Sequence, residues 1–400
     1  MDLFALAIIF VLLLILMSRG LPLSLAMGAS TILGFFLFRI PPAQALGVVY
    51  QGVFSRTTLN LVLAFYTITY LQRMLEEREH LHLAESSLTR LFGSRRINAM
   101  IAPFVIGLLP SVGAVLIARP IVDNAAQEDL TVEERCFVTS FYRHISEIFL
   151  PTYGSIILAM EFSGVDMASF VFAMLPLVFL LFFLGFVFYV RKIPPTKAPT
   201  GVDKKREGKN IFISLWAIAL SIVLILSFNI PVHLAILPVI ILSVFINRFK
   251  WKEIRPLFRS AFQGRLILTT LAIMVFKELL TFSGVIYSLP ELFSNMPLSP
   301  VIIFGLIFFV GTLMAGAQAM IATMLPLAVA TLGSSLGLIV FLMSLVFIAN
   351  QVTPIHVCLG VITEAYKLPF TSLVKKTLPV LLSFVIISSL YSYLLFFIFN

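Results

Sequence analysis

Charge is what this chain of 400 residues has least of. Only 12% of its residues are Asp, Glu, Lys or Arg, where a soluble domain carries about 25%. Hydrophobic residues make up 60%. This composition excludes an ordinary water-soluble globule. Cysteine is scarce too: Cys136 and Cys358 both stand in apolar surroundings, and neither a disulfide framework nor a metal cluster follows from them. No HExxH, GxSxG or Walker pattern occurs. Neither an enzyme nor a self-contained ATP-driven pump is expected, and no cofactor or resident metal. The opening residues, MDLFALAIIFVLLLILMSRG, lack the basic start and small-residue cleavage site of a signal peptide. They read as a retained first helix. The net charge of +9 reads as loop charge that sets topology, not as a nucleic-acid footprint.

What the chain does contain is a series of apolar stretches of membrane-spanning length. Helices are predicted over 3–18, 20–38, 57–73 and 167–190, then over 211–229, 232–247, 266–283 and 377–398. Residues 40–56 are too mixed to span and are expected along the interface. The charged stretch 74–96, which holds His80-x-His82, reads as a solvated loop. Residues 97–122, interrupted by Pro103, Gly107, Pro110, Gly113 and Pro120, are too long for one crossing and too short for two. A re-entrant hairpin fits, its tip near Pro110-Ser111-Val112-Gly113. Such a tip is tolerated only where it is buried in protein or lines water. Residues 301–330 form a second candidate hairpin, with its tip near Ala315-Gly316-Ala317-Gln318. The only long hydrophilic stretch, 191–210, is the expected linker between two halves, 1–190 and 211–400.

The chain is organised around residues 136–161. Here an apolar segment carries Arg143, His144 and Glu147, followed by Pro151. Spacings of three and four put the three ionisable groups on one helical face, and ionisable groups at membrane depth usually face a cavity or a partner. Proline removes an N–H and clashes with the carbonyl four residues back, that of Glu147, so the helix should break beside the carboxylate. Residues 336–364 repeat this pattern around Asn350-Gln351-Val352-Thr353-Pro354. Pro151 and Pro354 are 203 residues apart, and on that offset Glu147 maps to Asn350. Broken helices in corresponding positions of two halves are the strongest sequence pointer to a transporter's binding site. A structural ion pair between Arg143 and Glu147, with an ordinary proline kink, is the plainer reading.

The fold expected is an all-α polytopic membrane protein with two inverted repeats. Each repeat has five transmembrane helices plus one re-entrant hairpin. Five crossings per half invert the second half relative to the first. With the linker in the cytoplasm and both termini outside, 24 of the 28 Lys and Arg fall inside, as the positive-inside rule requires of a multi-pass protein in the cell's inner membrane.

Two halves of this kind resemble the ion transporter superfamily, which includes gluconate, citrate, dicarboxylate/sulfate and arsenite permeases and some sodium/proton antiporters. Within it the chain looks most like an uncharacterised family of ten-helix integral membrane proteins. The resemblance rests on Leu109-Pro110-Ser111-Val112-Gly113, on the run EIFLPTYG from Glu147 to Gly154, and on Asn350-Gln351-Val352-Thr353-Pro354. It implies substrate and coupling ions held between hairpin tips and broken helices, a homodimer, and an elevator-type sliding of a transport domain on a scaffold. The sodium-coupled dicarboxylate relatives carry Ser-Asn-Thr at both hairpin tips, where this chain has Ser111-Val112-Gly113 and Gly316-Ala317-Gln318.

The expected function is secondary transport of a small organic anion across the lipid bilayer, driven by H+ or Na+. The substrate is placed against Ser111, Val112, Gly113, Arg143, Gly316, Ala317, Gln318, Asn350 and Thr353. Half-helix N-termini offer it N–H donors and a positive dipole, and Arg143 a charged contact. His144, Glu147, Asn350, Glu278 and His356 are the candidates for ion coupling. The alternative is a cation/proton antiporter in which Glu147, Asn350 and the Thr353 hydroxyl hold a hard cation. The topology has a direct test: single cysteines replacing Thr200 and Asn295 should label from opposite faces of the membrane, and labelling from one face would rule out inverted repeats.

Overall fold

The computed structural model of the chain describes residues 2–108, 114–195, 202–228, 230–285 and 297–399. Among the described residues the regular structure is entirely helical. The first half runs α1 (Asp2–Ser18), α2 (Leu23–Leu37), α3 (Pro42–Phe54), α4 (Arg56–Glu77), α5 (His80–Phe92), α6 (Arg95–Gly107), α7 (Ala114–Ala126), α8 (Val132–His144), a 3-10 turn (Ile145–Ile148), α9 (Gly154–Ser163) and α10 (Met167–Phe188). The second half runs α11 (Lys204–Phe228), α12 (Val232–Ile246), α13 (Trp251–Ser260), α14 (Gly264–Ser283), α15 (Pro300–Ala315), α16 (Ala317–Leu332), α17 (Leu336–Asn350), α18 (Val357–Ala365) and α19 (Phe370–Phe399). Four helices, α10, α11, α14 and α19, are each long and apolar enough to cross a membrane alone. Several others are apolar but shorter, including α9 and α17, arms of the two broken helices.

Local signals account for the boundaries. Ser55 starts α4 by accepting from the Thr58 N–H, and Asp166 starts α10 by accepting from the Ser169 N–H. Thr131 and Glu134 form a reciprocal capping box at the head of α8. Residues 74–96 are not a solvated loop. α4 continues to Glu77, and α5 follows after Glu79, which adopts a left-handed φ of 51°. Leu81, Ala84 and Leu88 are buried on one face of α5, and Ala84 and Leu88 pack with Val105, Ile211 and Leu215. The charges that flank it hide this helical period in the sequence. Likewise the linker is shorter than 191–210, because α11 begins at Lys204 and its first turn buries Glu207.

The helices sort into two bodies. One comprises α1–α5 and α11–α14. The other comprises α6–α10 and α15–α19, which hold both hairpins and both broken helices. Contacts within each body are exchanged between halves. α2 packs on α14 and α12 on α4; α9 packs on α16 and α18 on α7. Reciprocal contacts of this kind are what two halves related by an approximate two-fold axis produce. The bodies meet where α9 touches α4, α16 touches α14, α15 touches α1, α6 touches α5 and α10 touches α11.

Ion pairs join many of the cationic residues to neighbouring helices. Arg78 pairs with Glu253 at 3.1 Å, Arg135 with Asp123 at 3.5 Å, and Arg95 pairs with Asp129. Lys192 and Lys376 both reach Glu134 Oε1, at 2.7 and 3.3 Å, joining the ends of α8, α10 and α19. Burial pushes the Glu134 carboxyl up, but hydrogen bonds from Lys192, the Thr131 N–H and Lys376 more than offset it, and the group sits below the ordinary carboxylate value. Arg119 lies with Asp123 and the Ala365 carbonyl.

The tightest approach between the hairpin and the broken helix is at Gly107. A Cβ there would run into the Arg143 carbonyl. Gly107→Ala should therefore destabilise the protein by about 1–3 kcal/mol, read as a lower unfolding temperature in detergent. An unchanged unfolding temperature would show that these two backbones are not held together.

Candidate functional site at the crossing of two broken helices

α8 ends at His144, and the chain tightens into the 3-10 turn before Pro151. It becomes helical again at Gly154. The second break is built alike: α17 ends at Asn350, Pro354 follows, and α18 starts at Val357. Each break is tied to its own hairpin by hydroxyl groups. Ser146 Oγ and Tyr153 Oη both donate to the Gly107 carbonyl, each at 2.6 Å. Thr353 Oγ1 donates to the Leu313 carbonyl at 2.7 Å.

Glu147 stands where the two breaks meet. Its Oε1 accepts from Arg143 Nη1 at 2.7 Å, and its Oε2 accepts from Asn350 Nδ2 at 3.2 Å. The two positions matched by the repeat are thus in direct contact. Arg143 is buried, with 2% of its side chain exposed, and Glu147 keeps 13%. A charge pair in such surroundings holds only with good geometry and further hydrogen bonds, and Asn350 supplies one. His144 Nε2 lies 3.8 Å and His356 Nε2 3.9 Å from Glu147 Oε1. The imidazoles meet edge to face, their centroids 4.8 Å apart. His144 Nδ1 lies 2.6 Å from the Ser140 carbonyl and His356 Nδ1 2.9 Å from the Asn350 carbonyl. A carbonyl only accepts, so each Nδ1 carries the proton. Each neutral ring then presents an Nε2 lone pair to the cluster.

On the other side of Glu147 lies a cavity of about 20 Å³, lined among others by Ser155, Ala317 and Asn350. It has room for roughly one water. Ala317 is the first residue of α16 and Ser155 the second of α9, so two helix N-termini converge there. Gly316, with φ of 85°, makes the sharp turn between α15 and α16, and Ile355 packs beside it. Gln318 lies over Gly154, its Nε2 2.7 Å from where a Cβ on that glycine would stand.

The structure thus brings Arg143, His144, Glu147, Asn350 and His356 together and sets Gly316, Ala317 and Gln318 beside them. Thr353 is buried with its hydroxyl committed to Leu313. The carbonyl of Asn350, expected to be freed by Pro354, instead receives His356. Glu278 is on α14, in the other body, and among the described residues no hydrogen bond or ion pair joins it to Glu147. Its neighbour Lys277 lies 5.3 Å from the Phe162 ring centroid. Ser111, Val112 and Gly113 lie outside the described residues, as do Thr200 and Asn295. Sequence reasoning missed Ser146 and Tyr153, which fasten the first hairpin, and Cys358, whose Sγ lies within 4.8 Å of a ring nitrogen of His144 and of His356. The spacing His356-x-Cys358 just past a helix break was the available signal for Cys358.

An all-helical polytopic membrane protein with two interrupted helices around an ionisable cluster is the class that this fold and site define. The chain belongs to the family described as "Protein of unknown function (DUF401)", which it matches over residues 2–398. Its fold is similar to that of the YdaH transporter of Alcanivorax borkumensis, whose crystal structure is described as revealing an unusual topology. The TM-score is 0.58 at 14% sequence identity, covering 87% of this chain and 86% of that one. None of the curated proteins matches the chain.

The Arg143–Glu147 pair has a stability signature. Arg143→Met leaves a buried carboxylate uncompensated and should cost about 3–5 kcal/mol. Glu147→Gln introduced alongside it should restore more than half of that loss in thermal unfolding. Additive losses in the double variant would mean that the two side chains are not coupled.

Proposed function

We propose that the protein is a secondary transporter that carries a small organic anion between the two bodies of the fold, coupled to H+ or Na+. The observation that carries this reading is the convergence of the α9 and α16 N-termini on the cavity beside Glu147. Helix N-termini offer unsatisfied N–H donors and a positive end of the dipole, which favour a carboxylate. Arg143 and Asn350 neutralise and occupy the Glu147 carboxylate, which lessens its repulsion of an incoming anion. Broken helices and hairpins are the parts from which secondary transporters build such sites. The fold shared with a transporter, and the resemblance to the ion transporter superfamily, point the same way.

At about 20 Å³ the cavity is too small for an organic anion, so this arrangement reads as an occluded one. Withdrawal of the tip at Gly316 would open it. The grouping of both hairpins and both broken helices in one body suits an elevator-type motion of that body along the other. The fall of 24 of the 28 Lys and Arg on the linker side of the expected topology suits a cytoplasmic face there. A cation/proton antiporter is the second reading, and the paired lone pairs of His144 and His356 facing Glu147 favour it.

Thermal unfolding of the purified protein against a panel of carboxylates and oxyanions separates the two. The panel is run with and without sodium, at acid and at neutral pH. A ligand at 100 times its dissociation constant adds about 2.7 kcal/mol of stability. Stabilisation by an organic anion is the expected result. Stabilisation by sodium or acid alone, with every anion silent, overturns the anion reading in favour of the antiporter.

A further inference from the structure

Four potential ligands converge at the crossing of the broken helices, two from each half of the chain. One ring nitrogen from each of His144 and His356 and the Cys358 Sγ lie within 4.8 Å of one another. Glu147 Oε1 is 3.8 and 3.9 Å from the two imidazole nitrogens. We propose that these four atoms form a tetrahedral binding site for a divalent transition-metal cation of the Zn2+ or Co2+ type.

The tautomers are set for it. Both Nδ1–H groups are held by backbone carbonyls, those of Ser140 and Asn350, so both Nε2 atoms point lone pairs at the shared centre. A metal-bound histidine nearly always has its other ring nitrogen held in this way, which fixes its orientation and raises its basicity. His144 is fully buried, yet its Nε2 receives no hydrogen bond. Buried polar atoms left without a donor are rare and call for an explanation. A metal ion supplies the missing electrophile.

Size and softness narrow the cation. With metal–nitrogen distances of about 2.0–2.1 Å and metal–sulfur of about 2.3 Å, neighbouring ligands in a tetrahedron stand roughly 3.4–3.7 Å apart. The separations of 3.8 and 3.9 Å from Glu147 close to that span with shifts of a few tenths of an ångström, and the separations of up to 4.8 Å among His144, His356 and Cys358 close with a shift of about 1 Å. Two imidazoles and a thiolate select against Na+, Mg2+ and Ca2+, which prefer all-oxygen shells. The thiolate offsets one charge of the ion, and the thiol proton leaves to solvent on binding. Glu147 Oε1 also accepts from Arg143, so metal and guanidinium share that oxygen. The Pro354–Ile355 stretch is exposed beside the cluster and Glu147 and His356 each keep 13% exposure, which gives an ion its approach.

The site stands whether the anion or the cation reading of transport holds. Its test reads the metal and not the flux. Full-length protein, freed of any affinity tag and stripped with chelator, is titrated with Co2+. The expected result is one equivalent per chain, with the intense visible bands of tetrahedral cobalt and a thiolate-to-metal charge-transfer band that Zn2+ abolishes. Cys358→Ser should remove the charge-transfer band and weaken binding by more than about tenfold, while Cys136→Ser changes neither. His144→Gln should weaken binding similarly, and stripped Cys358→Ser protein should unfold at the wild-type temperature. Absence of stoichiometric tetrahedral cobalt in the wild type overturns the site. So does a charge-transfer band that survives Cys358→Ser. Neither result bears on the anion panel, so transport and metal site fail separately.

Discussion

One buried carboxylate organises the centre of this molecule. Arg143 and Asn350 reach Glu147 together at the crossing, one along its own helix and one from the other half of the chain. The Arg143 contact needs only helical spacing, whereas the Asn350 contact depends on the helices stopping where they do. A continuous α8–α9 helix would be one rod through the site. Pro151 forces a 3-10 turn instead, and that turn carries Glu147. The same discontinuity leaves backbone groups that must be satisfied inside the protein. Ser146, Tyr153 and Thr353 answer by fastening the hairpins with hydroxyl groups. Charge, helix break and hairpin position are therefore one constraint.

Much of this arrangement is legible in the sequence, because membrane-embedded polar residues are few and costly. The prolines at 151 and 354, the glycine-rich turn at 316 and the charges at 143 and 147 each break an otherwise apolar pattern. The offset that aligned them also paired Glu147 with Asn350, and these two side chains are in contact. Where the reading went astray, the local signal was ambiguous. α5 looked like a loop because charges crowd the residues before it, from Arg73 to Glu79, and after it, at Arg95 and Arg96. The first turn of α11 looked like linker because its sequence is strongly basic. Cys358 carried no signal beyond its spacing to His356, since His144 is brought to it by tertiary structure.

The two bodies differ in what holds them together. The body of α1–α5 and α11–α14 is packed chiefly by apolar side chains. The hairpin body adds hydroxyl-to-carbonyl bonds and the charged cluster. Each hairpin has one arm bonded to the broken helix of its own half and the other packed on that of the opposite half.

The reciprocal packing has a consequence for how the two halves diverged. Positions 147 and 350 are equivalent and touch. Two identical copies of either half, assembled the same way, would oppose like with like at that point. Two copies of the first half would oppose two Glu147 carboxylates, and two copies of the second half would lose the charge pair altogether, because Val346 stands where the offset of 203 places Arg143. Fusing the halves into one polypeptide allows one acid and one amide to face each other, a pairing denied to any symmetric dimer.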